Sequence, residues 1–397
     1  MKTIMLISVI MLCLSLNVIA QTRDASRAII SEEYIFPFQN EHAHGSSIVI
    51  LPGGDLLACW FQGSGERSAD DVRIMGARMK KGGSQWSAPF LMADTRGIPD
   101  CNPVLFINRN NKLFLLWIAV MANKWEDAIV RYRTSTKYDG PGAPVWGWQD
   151  NILLKPDDSF AGEVEKKFKE MPENQSGWAG YAPLYDNMII DASKDLLKRS
   201  IGWMTRIHPI TLQNGRILLP LYSDGFNFSM VAISDDDGTS WRNSLPIVGR
   251  GPIQPALAVR KDGTIVAYMR DSGDAPTKVH VSTSSDNGES WTVSHKTDIP
   301  NEASVELCVL NDGKWAFLGN DITDGRYQFS IYISDDEGLT WKWKDLVEYQ
   351  PDKKGSFSYP CMIKGEDGLL NITYSYSLGE GKKTIKHVVL DPKRIAR

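Results

Sequence analysis

Six polar residues sit where this chain could do chemistry: His44, Asn102, His208, Gln254, Ser304 and Tyr359. An imidazole titrates near neutrality and exchanges protons readily. A phenol has an ordinary pKa of about 10, so Tyr359 would attack an electrophile poorly unless a base stood beside it. Four of the six precede a proline at the head of an apolar run: Asn102-Pro103, His208-Pro209, Gln254-Pro255 and Tyr359-Pro360. Proline is tolerated at a strand's first residue and biases the residue before it toward extended backbone. These residues are therefore expected to be extended and to occupy one common level of the fold. Ser304 opens a comparable run, and His44 lies beside the equivalent place in the first one.

The elements that position them are hairpins. Six segments share an apolar strand, a polar turn and a second apolar strand: 45–60, 102–117, 208–222, 254–270, 304–320 and 359–375. Their turns include Asn214-Gly215, Asp262-Gly263, Asp312-Gly313 and Asp367-Gly368, and Asn-Gly or Asp-Gly between apolar runs is a strong hairpin signal. A second pattern, Ser-x-Asp-x-Gly-x-Ser/Thr-Trp, occurs three times at a fixed period, its serines falling at Ser234, Ser284 and Ser334. A repeat of this length marks a solenoid, propeller or array. Each copy reads as a turn between outer strands: the aspartate bonds local backbone, the glycine takes positive φ, and the tryptophan buries a large ring. Worn copies stand at Met79–Trp86 and Ser135–Trp148.

Six such units predict an all-β fold: a six-bladed β-propeller of four-stranded antiparallel blades with a small helical insert. The strand Thr384–Leu390 is expected to close the ring against an N-terminal strand around Glu33–Phe36. The insert, at about 156–203, carries a charged helical pattern from Asp158 to Met171 and a second from Ile190 to Arg199. In such a ring the heads of the innermost strands face a central funnel.

Composition narrows the partners. A net charge of −4 over 397 residues, with no basic stripe, argues against nucleic acid. Lys2, an apolar run from Ile4 to Ile19 and Ala20 before Gln21 read as a cleavable signal over 1–20, which predicts a secreted or periplasmic protein. No other stretch is long enough to span a membrane. Residues 21–397 are then one propeller domain, expected to be monomeric. Cys59, Cys101, Cys308 and Cys361 form no C-x-x-C pair and lie in strand-like runs, so buried free thiols are expected rather than a metal or redox motif. No cofactor is called for.

The chain resembles the sialidase superfamily, whose Asp-box repeats and six-bladed propeller correspond to this pattern over nearly the whole mature sequence. Sialidases hold a substrate carboxylate with three arginines, use an aspartate as acid/base, and attack with a tyrosine activated by a glutamate. Matched residue by residue, the resemblance implies Asp70 or Asp71 for the acid/base, with Arg67 beside them, Arg270 and Arg326 for two arginines, and Tyr359 for the nucleophile. The first arginine's place falls at His44 and the glutamate's at Gln254. Glu306, on the same strand face as Ser304, is a candidate replacement base. Arg67, His208 and Asn102 complete the expected substrate contacts.

Three functions follow from that set. The first is a sialidase-type exo-glycosidase removing a terminal acidic sugar, its carboxylate clamped by Arg270 and Arg326. The second is a uronate-directed glycosidase or lyase in which His44 or Tyr359 takes a proton. The third is a glycan-binding propeller without turnover.

Overall fold

Six antiparallel sheets of the computed structural model, which describes residues 27–172 and 182–396, realise the six hairpins in order around a ring. The expected signal segment lies outside the described residues. Blade I runs His42–Ile50, Leu56–Gly63, Arg73–Met79 and Phe90–Ala93. Blade II runs Asp100–Ile107, Leu113–Val120, Ala128–Ser135 and Trp148–Ile152. Blade IV is Pro252–Val259, Ile265–Asp271, Lys278–Ser284 and His295–Pro300. Blade V is Glu306–Val309, Trp315–Gly319, Gln328–Ser334 and Trp343–Tyr349. In blade VI the N-terminal strand Ile29–Tyr34 pairs with Lys383–Leu390, outside Leu370–Ser377 and Ser356–Lys364, so the two chain ends close the ring as expected. Pairing the first strand with the last ties the two chain ends into one blade, and radial repetition leaves only short sheet edges.

Blade III differs. Its inner strand is broken into Met204–Thr205 and Ile210–Thr211, both paired with Ile217–Ser223, and is followed by Phe228–Ser234 and Arg242–Asn243. The insert precedes it as three helices: α1 (Asp158–Glu170), α2 (Ala182–Ser193) and α3 (Leu196–Ser200). The helix expected at Ile190–Arg199 is thus two, split at Lys194 and Asp195, where the Asp195 carboxylate caps α3 by accepting from Leu197 and Lys198. Asp157 caps α1 in the same way. Helix α1 turns Phe160, Val164 and Phe168 inward, and Phe160 meets Trp203, Phe226 and Phe228 of blade III. Its opposite face is laced with pairs such as Glu165–Lys169. The insert decorates the ring and replaces no blade.

The three Asp boxes turn between outer strands and lean on the preceding blade. In the first, Asp236 accepts from the Thr239 and Ser240 amides and from two serine hydroxyls. Gly238 has φ +87°, and a Cβ there would meet the Phe114 ring of blade II at 2.6 Å. That close approach is why the slot takes glycine. Among the described residues, Cys59, Cys101 and Cys361 are buried free thiols and Cys308 is a partly exposed one.

Candidate active site

The inner strands of blades I, II, IV and VI each slip register at one place, where two residues bulge out of the ladder. The first residue of each bulge is left-handed: Gly45 (φ +62°), Asn102 (+49°), Gln254 (+58°) and Tyr359 (+59°). The expectation of extended backbone before proline is corrected here. Strands pair on both sides of each bulge, and here the additional residue is absorbed with the bulge's first residue left-handed. In blade I a glycine fills the slot; an added Cβ would meet the Phe61 ring at 2.8 Å. In the other three, Asn102, Gln254 and Tyr359 hold a conformation that costs roughly 1–3 kcal/mol, and such strain gathers at functional sites. The bulges of blades IV and VI bring Gln254 and Tyr359 together, and that of blade II brings Asn102 to Tyr222.

Tyr359 stands at the centre. Its hydroxyl accepts from Gln254 Nε2 and from Arg270 Nη1, each at 3.3 Å. The guanidiniums of Arg206 and Arg326 lie over its ring at 4.8 and 5.3 Å from the centroid. The His44 ring is 4.1 Å away, inclined by 45°. Burial would raise the phenol's pKa, but Arg270, Arg326, the Gln254 bond and Arg206 pull it below its ordinary value. Burial, followed by the charges of Arg326, His42, Arg206 and Arg270, holds His44 well below the usual histidine range, so its imidazole is neutral at pH 7. Nearby, Tyr222 accepts from Asn102 Nδ2 at 3.1 Å; burial and the charge of Asp224 push its pKa well up. Two phenols in one funnel are thus driven apart, the kind of divergence that separates a reacting group from a donor.

The other expected residues fall into two further groups. Asp70 and Asp71 lie in a turn, so strand alternation does not sort them; their contacts do. Asp71 is consumed locally, accepting from the Ser64 amide and hydroxyl at 2.9–3.2 Å. Asp70 is exposed at the rim with one oxygen held by Asn123 at 2.9 Å, and Arg67 sits over Trp125. Between them and the centre, Glu66 bonds His42 at 3.0 Å; that bond, opposed by burial, lowers its pKa. The second group is His208 and Glu306, 3.3 Å apart, with Glu306 only 1% exposed. Glu306 therefore faces His208, and no described hydrogen bond joins it to the Tyr359 hydroxyl. Ser304 is buried beside it.

Arg206 escaped the sequence reading. Aligning His208-Pro209 with the other X-Pro pairs put His208 in the bulge position, but blade III carries a longer excursion, 206–209, whose first residue is Arg206. Arg206 is 2% exposed and donates to the Pro360 carbonyl at 2.8 Å and the Ser46 carbonyl at 3.4 Å. A signal was available: a lone arginine inside the apolar stretch Trp203-Met204-Thr205-Arg206-Ile207.

The sequence profile of the BNR repeat-like domain matches residues 54–171 and 193–372. An anhydrosialidase from Macrobdella decora is 27% identical over 181 residues, 40% of this chain and 23% of that protein, so less than a quarter of the relative's length is spanned. Among solved structures, a Dyadobacter fermentans protein of unknown function superposes with a TM-score of 0.66 at 14% identity, covering 91% of this chain and 98% of that one. The intramolecular trans-sialidase of Ruminococcus gnavus superposes at 0.65 with 13% identity, covering 94% and 99%. At these identities the superpositions speak to the fold.

Proposed function

Because this chain belongs to the BNR repeat-like family and is a sialidase-superfamily propeller, we propose that it is an exported exo-glycosidase of the sialidase type that removes a terminal acidic sugar from a glycan. The observation that carries the reading is Tyr359, whose hydroxyl meets Arg270 beneath a ring flanked by Arg206, Arg326 and His44. Arg270 and Arg326 are partly exposed and receive the sugar carboxylate, since planar guanidinium matches carboxylate geometry. As its phenolate, which the surrounding guanidiniums favour, Tyr359 attacks the anomeric carbon as the glycosidic bond breaks, and Asp70 gives its proton to the departing oxygen. Water then displaces Tyr359, returning a proton to Asp70. Glu66 is a poor proton donor because its lowered pKa keeps it ionised. The names of the Macrobdella and Ruminococcus proteins support a sialic-acid-type sugar.

A second reading has its own observation: Gln254, not a carboxylate, meets the Tyr359 hydroxyl, and a neutral His44 lies tilted against the ring. In it, His44 takes the C5 proton of a uronate while the arginines neutralise its carboxylate; the C4–O bond breaks, the Tyr359 hydroxyl protonates the departing oxygen, and a C4–C5 double bond is left. Both readings are tested by incubating the purified protein and a His44→Ala variant with sialylated and uronate-capped glycans. Free sialic acid or an anhydro form, from wild type, supports the first. An unsaturated product absorbing in the near ultraviolet moves the assignment to the second. No product from any substrate overturns both and leaves a glycan-binding propeller.

A further inference from the structure

Close to Tyr359, three side chains from three blades converge, two of them with a buried polar atom that has no hydrogen-bond partner. His208 comes from blade III, Glu306 from blade V and Cys361 from blade VI, and one ligand-type atom of each lies within 4.8 Å of the other two. His208 Nδ1 and Glu306 Oε2 are both buried without a hydrogen-bond partner, although 3.3 Å apart. Glu306 is 1% exposed and anchored through its other oxygen, which accepts from the Leu307 amide at 3.0 Å. Cys361 Sγ, also buried, has only long contacts, 3.7 Å to Ser47 Oγ and 3.9 Å to the Ile48 carbonyl. An unpartnered buried carboxylate oxygen is costly, and so is an imidazole nitrogen left unpaired beside it. A shared ligand answers both.

We propose that His208, Glu306 and Cys361 bind a zinc-class divalent cation. Imidazole, thiolate and carboxylate together suit a borderline-soft ion with tetrahedral habits, whereas calcium and magnesium prefer all-oxygen shells. Charge is consistent as well: a divalent ion with one thiolate and one carboxylate is neutral, so it adds no net charge beside the buried Arg206. Three protein ligands leave a fourth position, on the side where His208 keeps 23% of its side-chain surface exposed. Cys361 lies two residues past Tyr359, so the ion would fix the strand that presents the phenol and tie blades III, V and VI together at the axis.

The test uses the purified full chain, stripped with a chelator and loaded with zinc or cobalt. Elemental analysis after gel filtration is expected to find one zinc per chain. Cobalt loading is expected to give a near-ultraviolet thiolate-to-cobalt charge-transfer band. Cys361→Ser abolishes the band, Cys308→Ser preserves it, and Glu306→Gln weakens zinc affinity by at least about tenfold. A melting temperature raised by zinc in wild type and not in Glu306→Gln supports the same assignment. Absence of stoichiometric metal, or a band that survives in Cys361→Ser, overturns it. Should Cys361→Ser fail to fold, Glu306→Gln and His208→Ala decide by affinity, and unchanged zinc binding in both is equally fatal.

Discussion

Arg206 lies across the ring of Tyr359, its guanidinium carbon 4.8 Å from the centroid, and donates to the carbonyl of Pro360, the next residue in the chain. One side chain thus fixes the bulge that aims the phenol and charges the space around it. Its second bond, to the Ser46 carbonyl of blade I, carries the same link across the axis. Arg206 itself is too enclosed to meet a substrate, so Arg270 and Arg326 are left as the carboxylate clamp while Arg206 acts on Tyr359.

Tyr359→Phe keeps the ring, its flanking guanidiniums and the left-handed turn while removing the hydroxyl. If that oxygen reacts, kcat falls by on the order of 10²- to 10⁴-fold, and a carboxylate-bearing product analogue binds as it does to wild type. Steady-state kinetics and calorimetry check the two halves. Undiminished turnover would remove Tyr359 from the reaction.

Replacing Arg206 by Met tests the electrostatic claim. Positive charge from Arg270, Arg326 and Arg206 holds the Tyr359 pKa below its ordinary value, so removing one charge raises it. The limb of the kcat/KM profile that rises with Tyr359 ionisation then moves to higher pH. Arg206→Lys moves it less. Two buried carbonyls lose a donor, at about 1–3 kcal/mol in urea unfolding. A profile that stays in place, with the protein merely less stable, would reduce Arg206 to a structural tie.

His44 makes a prediction about stability with a definite sign. Its folded pKa is depressed, by burial first and by neighbouring positive charge second. Its unfolded value is about 6.5. The unfolded chain therefore binds the proton first as pH drops, and stability is complete above about 6.5 and lost as pH falls toward the folded pKa. The difference in unfolding free energy between His44→Gln and wild type should grow in the variant's favour by up to about 1.4 kcal/mol per pH unit across that window. Urea titrations between neutral and mildly acidic pH measure it, and a constant difference would mean that His44 titrates alike in the folded and unfolded chains.

The fold was legible because its signals are local and repeated: turns such as Asp262-Gly263 and Asp312-Gly313, and Asp boxes whose glycines each take positive φ. The ring closure followed from the apolar strand Thr384–Leu390. What the sequence misplaced depends on counting along irregular backbone. His208-Pro209 resembles the bulges at Asn102, Gln254 and Tyr359, yet blade III inserts residues there and hands the position to Arg206. Glu306 shares a strand face with Ser304 but meets His208, because what lies across the axis is set by another blade and not by its own strand. The His208–Glu306–Cys361 group has no linear motif for the same reason: its members lie about 100 and 50 residues apart, one per blade.

Asp70 and Asp71 are adjacent in sequence and separate in consequence. Asp71 accepts from the Ser64 amide and hydroxyl, and that hydrogen bonding, with little burial, lowers its pKa; it is a loop fastener held ionised. Asp70 is touched at one oxygen, by Asn123. If Asp70 protonates the leaving group, Asp70→Asn cuts turnover by on the order of 10²- to 10⁴-fold on a natural glycoside. The loss should be much smaller on an aryl glycoside, whose leaving group departs without a proton. Asp71→Asn should leave both rates within about twofold and cost well under about 1 kcal/mol, since its lost bonds are solvent-exposed. The ratio of the two substrates' rates in each variant is the readout that a structural role would not move. Equal losses on both substrates in Asp70→Asn would send the search for the acid to Asp224, a carboxyl near Arg67 whose pKa is raised.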